Sequence, residues 1–121
     1  GYYAEKTISV TLSGVDGAEQ IKAIMAKFRD NGPKEWNATA ITVVEDFKAQ
    51  TSTTADGIVT ALTTPPSDVL KYTLADGSWI AVRPSGTEPK IKFYIAVVGQ
   101  SNEDSQAKIA NIEAEINAFV K

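Results

Sequence analysis

Two apolar alternating runs, Trp79–Val82 and Ile91–Val98, are joined by Arg-Pro-Ser-Gly-Thr-Glu-Pro-Lys at residues 83–90. A plain turn needs only the glycine and one proline, so the remaining side chains call for a chemical reading. Arg83 supplies a planar fork of donors that matches two oxygens of an oxyanion. Ser85 and Thr87 supply short hydroxyl donors at alternate positions, which a curved loop aims the same way. Gly86 between them has no Cβ, so backbone N–H groups can close on an anion as a concave nest. Pro84 and Pro89 bracket the segment and reduce the freedom lost when a ligand arrives. Lys92 follows on the face opposite Ile91 and Phe93 and adds a second cation near the loop mouth. Together these residues suit a phosphate dianion, with charge-assisted bonds worth about 1.5–3 kcal/mol each. Glu88 is the dissenting residue. It must point outward, pair with Lys90 or another cation, or take a sugar hydroxyl.

The same residue types also build an ordinary solvated turn, so chemistry alone leaves both readings open. Other constellations carry less. Tyr2, Tyr3, Trp36 and Trp79 could stack on a sugar, although core or edge packing is the commoner use of such rings. Glu45 and Asp46 are an acid/base candidate at a strand end, where a solvated terminus is the stronger reading. The aspartates at 16, 30, 46, 56, 68, 76 and 104 are scattered singly, without the D-x-D-x-D spacing of a divalent-cation loop. The chain has no histidine to activate a serine or threonine and no cysteine for thiolate chemistry or disulfides. It is therefore read as an incomplete catalyst that binds no metal of its own.

The bulk properties bound the partners. The chain has 121 residues, enough for one domain with one core, and its 43% hydrophobic and 22% charged content is that of a folded protein. A net charge of −3 argues against a nucleic-acid partner, which calls for a basic face. No apolar run approaches the ~20 residues of a membrane span, and GYYAEKT has no signal-peptide pattern. A cytoplasmic setting without membrane contact is expected.

The elements that must position the loop follow from periodicity. Thr7–Leu12 alternates and predicts a strand. Asp16 with Glu19 resembles a capping box that opens a helix, whose stripe is Ile21, Ile24, Met25 and Phe28 and whose end is Asn31-Gly32-Pro33. Thr39–Val44 predicts a second strand. Residues 46–66 are rich in Thr, Ser, Ala and Asp, which leaves their structure open beyond a short strand near Ile58–Leu62. Val69–Leu74 and Trp79–Val82 form a hairpin on Asp76-Gly77, and Ile91–Val98 adds a further strand. A last helix begins near Ser101, with the stripe Ile109, Ile112, Ile116, Phe119 and Val120. The fold class is α+β: a mostly antiparallel sheet of four to five strands with two helices packed on one face. Residues 1–121 form a single domain, with 1–12 a candidate inter-domain segment.

Residues 83–94, RPSGTEPKIKFY, resemble the phosphate-binding loop of the α-D-phosphohexomutases, the phosphoglucomutase/phosphomannomutase family. The hairpin LADGSW and the upstream stretch GVDGAEQIKAIMAKFRDNGP resemble the C-terminal part of bacterial members, so the likeness runs from about Ser13 to the last helix. It implies the fourth of four domains, with a TATA-box-binding-protein-like arrangement of sheet and helices. The family's phosphoserine, metal and sugar-selecting loops have no counterpart here.

The likeness further implies a phosphohexomutase working through a phosphoserine and a hexose 1,6-bisphosphate, glucose 1,6-bisphosphate for a glucose enzyme. Mg2+ would be bound outside this segment. Its partners would be the hexose phosphate and the other three domains of the same chain, and the fragment alone would be inactive. Carried onto this sequence, Arg83, Ser85 and Thr87 become side-chain ligands of the non-reacting phosphate, Gly86 a backbone donor and Lys92 a nearby cation. Phosphoglucosamine mutases usually continue with valine-methionine where this chain has Phe93-Tyr94, which favours glucose or mannose phosphates. The alternative is a free-standing module that senses a sugar phosphate.

Overall fold

In the computed structural model, which describes all residues Gly1–Lys121, the chain runs β1 (Tyr2–Thr11), α1 (Gly17–Asp30), β2 (Glu35–Trp36), β3 (Thr39–Asp46), β4 (Thr51–Thr54), β5 (Val59–Ala61), β6 (Leu70–Leu74), β7 (Trp79–Pro84), β8 (Lys90–Gly99) and α2 (Asn102–Val120). The strands form one sheet in the order β1-β8-β7-β6-β3-β4-β5, with β2 paired to β3 beside this path. Every pairing is antiparallel. The α+β class stands, while the expected four to five strands become eight.

The extra length of β1 and the additional hairpin have identifiable causes. Tyr2–Lys6 lacks an alternating apolar pattern, yet it stays extended because the ladder to β8 continues without a break from Thr11↔Lys90 to Tyr2↔Gly99. Tyr2–Thr11 is thus an edge strand of this sheet. The open region 46–66 holds a threonine-rich hairpin, β4 against β5, with Thr53 opposite Val59. Its turn places Gly57 at φ +89°, and β5 at Val59–Ala61 answers the strand expected near Ile58–Leu62.

One face of the sheet is covered. Ile80 and Val82 of β7, Ile91, Phe93, Ile95 and Val97 of β8, and Leu70, Tyr72 and Leu74 of β6 join Ile21, Met25 and Phe28 of α1 and Ile109, Ile112 and Ile116 of α2 in one buried cluster. Both helices therefore lie on the same face, and the period-2 and period-3.6 stripes meet there. Phe28 is the joint between layers: its ring lies 4.3 Å from Phe119, 5.9 Å from Phe93 and 6.3 Å from Tyr72, centroid to centroid.

The ends of the helices differ from each other. The helix expected to begin near Ser101 does so, and Ser101 caps it, its hydroxyl accepting from the Asp104 N–H at 3.0 Å. At α1 the expected capping box does not form. The Asp16 carboxylate instead accepts from the Gln20 side chain at 2.7 Å and makes no cap bond to the backbone. The Asp16 backbone sits at φ −102°, ψ 17° rather than in the extended region a capping residue uses.

Candidate functional site

The loop joins β7 to β8 at the end of the sheet where α1 begins. In β7, Ile80 and Val82 point into the core, so Trp79, Ala81 and Arg83 share the uncovered face. In β8 the same alternation puts Lys92 and Tyr94 on that face. The register then sets Arg83 directly opposite Lys92, and Lys92 opposite Ser9 of β1. Neither Arg83 nor Lys92 takes part in any of the chain's ion pairs. Two cations side by side cost stability in an antiparallel ladder, and together they present a concentrated positive charge to an incoming anion.

Beyond Pro84 the ladder opens. The Ser85 N–H donates to the Lys90 carbonyl at 2.9 Å, and the Lys90 N–H donates to the Glu88 carbonyl at 2.7 Å. Between these two bonds, the N–H groups of Gly86, Thr87 and Glu88 have no partner within the chain. Gly86 stands at φ +88° with nothing within 4 Å of where a Cβ would be. Glycine is needed there for its backbone angle and not for lack of space. A left-handed residue among successive free amides is the geometry of an anion nest. The Ser85 and Thr87 hydroxyls likewise make no hydrogen bond within the protein, and Thr87 is exposed.

Glu88 follows one of its expected courses. Its carboxylate pairs with Lys90 Nζ at 3.4 Å, which removes a negative charge from competition with a bound anion. The far arm of the loop is anchored to β1, because the Leu12 N–H donates to the Pro89 carbonyl at 2.8 Å.

The structure thus brings together Arg83, Ser85, Gly86, Thr87 and Lys92 at one end of the hairpin. The nest read from Gly86 is present, and the bend adds the amides of Thr87 and Glu88, which were not named from sequence. The other candidates lie elsewhere. Trp36 is buried, and Tyr2 and Tyr3 are exposed on β1. Trp79 lies under Lys71, whose Nζ is 4.7 Å from the ring centroid. Asp46 accepts from Arg29 at 3.2 Å and from the N–H groups of Lys48 and Ala49, which makes it a structural anchor.

Behind the loop, α1 and the loop enclose a cleft of about 530 Å³ lined in part by Ile21, Met25, Arg29, Lys48, Pro84 and Gly86. Arg29 is committed there to Asp46 and to Asp68, the latter at 2.6 Å. Burial alone would lower its pKa, but the two carboxylates outweigh it and hold the guanidinium even more firmly protonated than usual. Lys48, which also lines the cleft, makes no ion pair, and neither do Arg83 and Lys92 on the other side of the sheet.

The comparison with known proteins agrees with this geometry. The family model described as phosphoglucomutase/phosphomannomutase, C-terminal domain, matches residues 10–118. A phosphoglucomutase of Staphylococcus aureus (strain bovine RF122 / ET3-1) is 37% identical over 110 residues, covering 90% of this chain and 20% of that protein. A phosphoglucomutase of Staphylococcus haemolyticus (strain JCSC1435) is 34% identical over 112 residues, covering 92% of this chain and 20% of the relative. The chain spans about a fifth of the length of the curated relatives it matches. With the matched region running from the end of β1 through the 83–90 loop and nearly to the end of α2, this chain belongs to the phosphoglucomutase/phosphomannomutase C-terminal domain family.

Proposed function

We propose that this chain is the part of a phosphohexomutase that grips the non-reacting phosphate of its hexose phosphate. Arg83 takes two phosphate oxygens, the Ser85 and Thr87 hydroxyls and the Gly86 N–H take others, and Lys92 supplies charge from the neighbouring strand. The observation that carries this reading is the run of three free amides around Gly86 beside the unpaired Arg83–Lys92 couple. An anion would satisfy both the open donors and the excess charge.

In a longer mutase the loop anchors one end of the hexose while the chemistry takes place at the other. That chemistry passes a phosphoryl group between a phosphoserine and the sugar through a bisphosphate, with Mg2+ and the phosphoserine held by the other three domains in the cytoplasm. This chain's residues contribute orientation, which limits the approach of the reacting hydroxyl to a productive geometry. The aromatic continuation Phe93-Tyr94 supports glucose or mannose phosphates as the sugars.

Titration of the chain with glucose 6-phosphate and with glucose, followed by amide shifts, tests the grip. Saturable shifts at Ser85–Glu88 with the phosphorylated sugar and none with the plain sugar are expected. Equal responses would defeat the reading. In the longer protein, Arg83→Ala should greatly lower turnover, and wild-type kinetics in that variant would refute its role.

A further inference from the structure

Three chain segments converge behind the loop. The end of β1 contributes Leu12, whose N–H holds the Pro89 carbonyl at 2.8 Å. The start of α1 contributes Gly17, which is buried. A Cβ at Gly17 would lie 2.7 Å from Pro89 Cβ and 2.9 Å from the Leu12 carbonyl oxygen. Both distances are below what carbon side chains tolerate. Neither obstacle is a flexible side-chain end, since one is a proline ring and the other backbone. Gly17 has no positive φ, so its requirement is close approach and not conformation.

We infer that Gly17 is a positioning residue for the anion loop: its missing side chain lets the first turn of α1 seat directly on Pro89 and fixes the far arm of residues 85–89. The inference rests on the proposed phosphate grip for its functional meaning, although the mechanical coupling stands apart from it. The direction of the coupling follows from what can move. The helix is fixed in the core by Ile21, Met25 and Phe28, whereas Gly86, Thr87, Glu88 and Pro89 are exposed. A group added at Gly17 therefore displaces the loop before it displaces the helix. Pro89 is two residues from Thr87 and three from Gly86, so a shift there spreads the donors around the anion.

The test is a double-mutant cycle on the isotopically labelled chain titrated with inorganic phosphate. Gly17→Ala should keep a cooperative melt and the amide pattern of β6–β8. It should displace the Gly86, Thr87 and Glu88 resonances before any ligand is added. Its phosphate affinity should fall about tenfold, the change expected from losing one charge-assisted hydrogen bond. In the Pro89→Gly background, which removes the Cβ facing Gly17, the same change should cost clearly less, with the residue of the effect due to Leu12. Unmoved loop resonances with wild-type affinity, or an equal loss in both backgrounds, would overturn the proposal.

Should Gly17→Ala not fold, Pro89→Gly alone decides. It introduces no clash, and it should speed amide exchange at Thr87 and Glu88 and weaken phosphate binding. Unchanged exchange and affinity would count against the strut. Should the unmutated chain take up no phosphate at all, the proposed grip fails. The ligand-free displacement of the loop resonances then decides the role of Gly17 by itself.

Discussion

Arg83 and Lys92 stand opposite each other on the uncovered face of the β7–β8 ladder, with no carboxylate paired to either. Like charges in register oppose strand pairing, typically by a few tenths of a kcal/mol to about 1 kcal/mol. Such an arrangement makes physical sense where a ligand supplies the missing negative charge.

Arg83→Ala should therefore act in opposite directions on binding and on stability. Loss of charge-assisted bonds worth about 1.5–3 kcal/mol should weaken phosphate binding by tenfold or more. Relief of the cation pair should leave the ligand-free melting temperature unchanged or slightly raised. Lys92→Ala should show the same signs with a smaller binding loss. Phosphate titration and thermal melts at low ionic strength measure both, and a clear drop in ligand-free stability for Arg83→Ala would contradict the charge argument.

Gly86 and Gly57 form a matched pair for separating backbone strain from function. They stand at φ +88° and +89°, and at neither does any atom lie within 4 Å of the point a Cβ would occupy. Alanine at either site should meet the same torsional cost, on the order of 1 kcal/mol, without a clash. Only Gly86→Ala should weaken phosphate binding, because only that loop carries the open donors. Equal affinities for the two variants would show that the Gly86 angle has no part in anion binding.

The residues that revealed the loop in sequence are those whose type states their use: an arginine fork, two hydroxyls, a glycine and bracketing prolines. The central hairpin, the last strand and both helices were legible because one buried face imposes period 2 or period 3.6. Tyr2–Lys6 was not legible as strand, because YYAEK has no apolar alternation and is held by the ladder to β8. Of the β4–β5 hairpin only β5 was expected, near Ile58–Leu62; β4 was obscure for a related reason, since Thr51–Thr54 is Thr and Ser throughout and has no apolar side to mark it. The capping box is absent because the Asp16 backbone is not extended and its carboxylate accepts from Gln20 instead. The juxtaposition of Arg83 with Lys92 needs the strand register, and the free amides need the path of the bend. Gly86 announced a backbone nest, but the register and the particular amides left free are not written in residue identity.

Phe28 should be the most damaging single truncation in the core. Its ring contacts aromatic partners from β6, β8 and α2, and its carbonyl accepts from the buried Tyr72 hydroxyl at 3.2 Å. Phe28→Ala should lose about 3–5 kcal/mol, the usual range for a phenylalanine that leaves a cavity. At this chain length that corresponds to a melting point lower by ~10–20 °C. Phe28→Leu should recover much of the loss. Denaturant unfolding measures it, and a loss under about 1 kcal/mol for Phe28→Ala would mean the layers close without this ring.

Asp76 gives the fold a defined acid limb. Burial by itself would raise its carboxyl pKa, but Lys108 Nζ at 2.9 Å and the Ser78 N–H at 2.9 Å outweigh that and hold it below the ordinary 3.8. A group depressed in the folded state adds stability above its unfolded pKa, and that stability is lost as pH falls through the folded value. The melting temperature of the unmutated chain should therefore exceed that of Asp76→Asn by a constant margin from neutral pH down to about pH 5. The margin should shrink as the pH drops below 3.8. Because the pair is partly solvated, the neutral-pH difference should not exceed about 1 kcal/mol. Lys108 also donates to the Val98 carbonyl at 2.8 Å, so Lys108→Met should lower stability more than Asp76→Asn and should weaken the pH dependence assigned to Asp76, leaving only the part held by Ser78. A margin that stays constant down to about pH 2 would place the acid sensitivity in some other carboxylate.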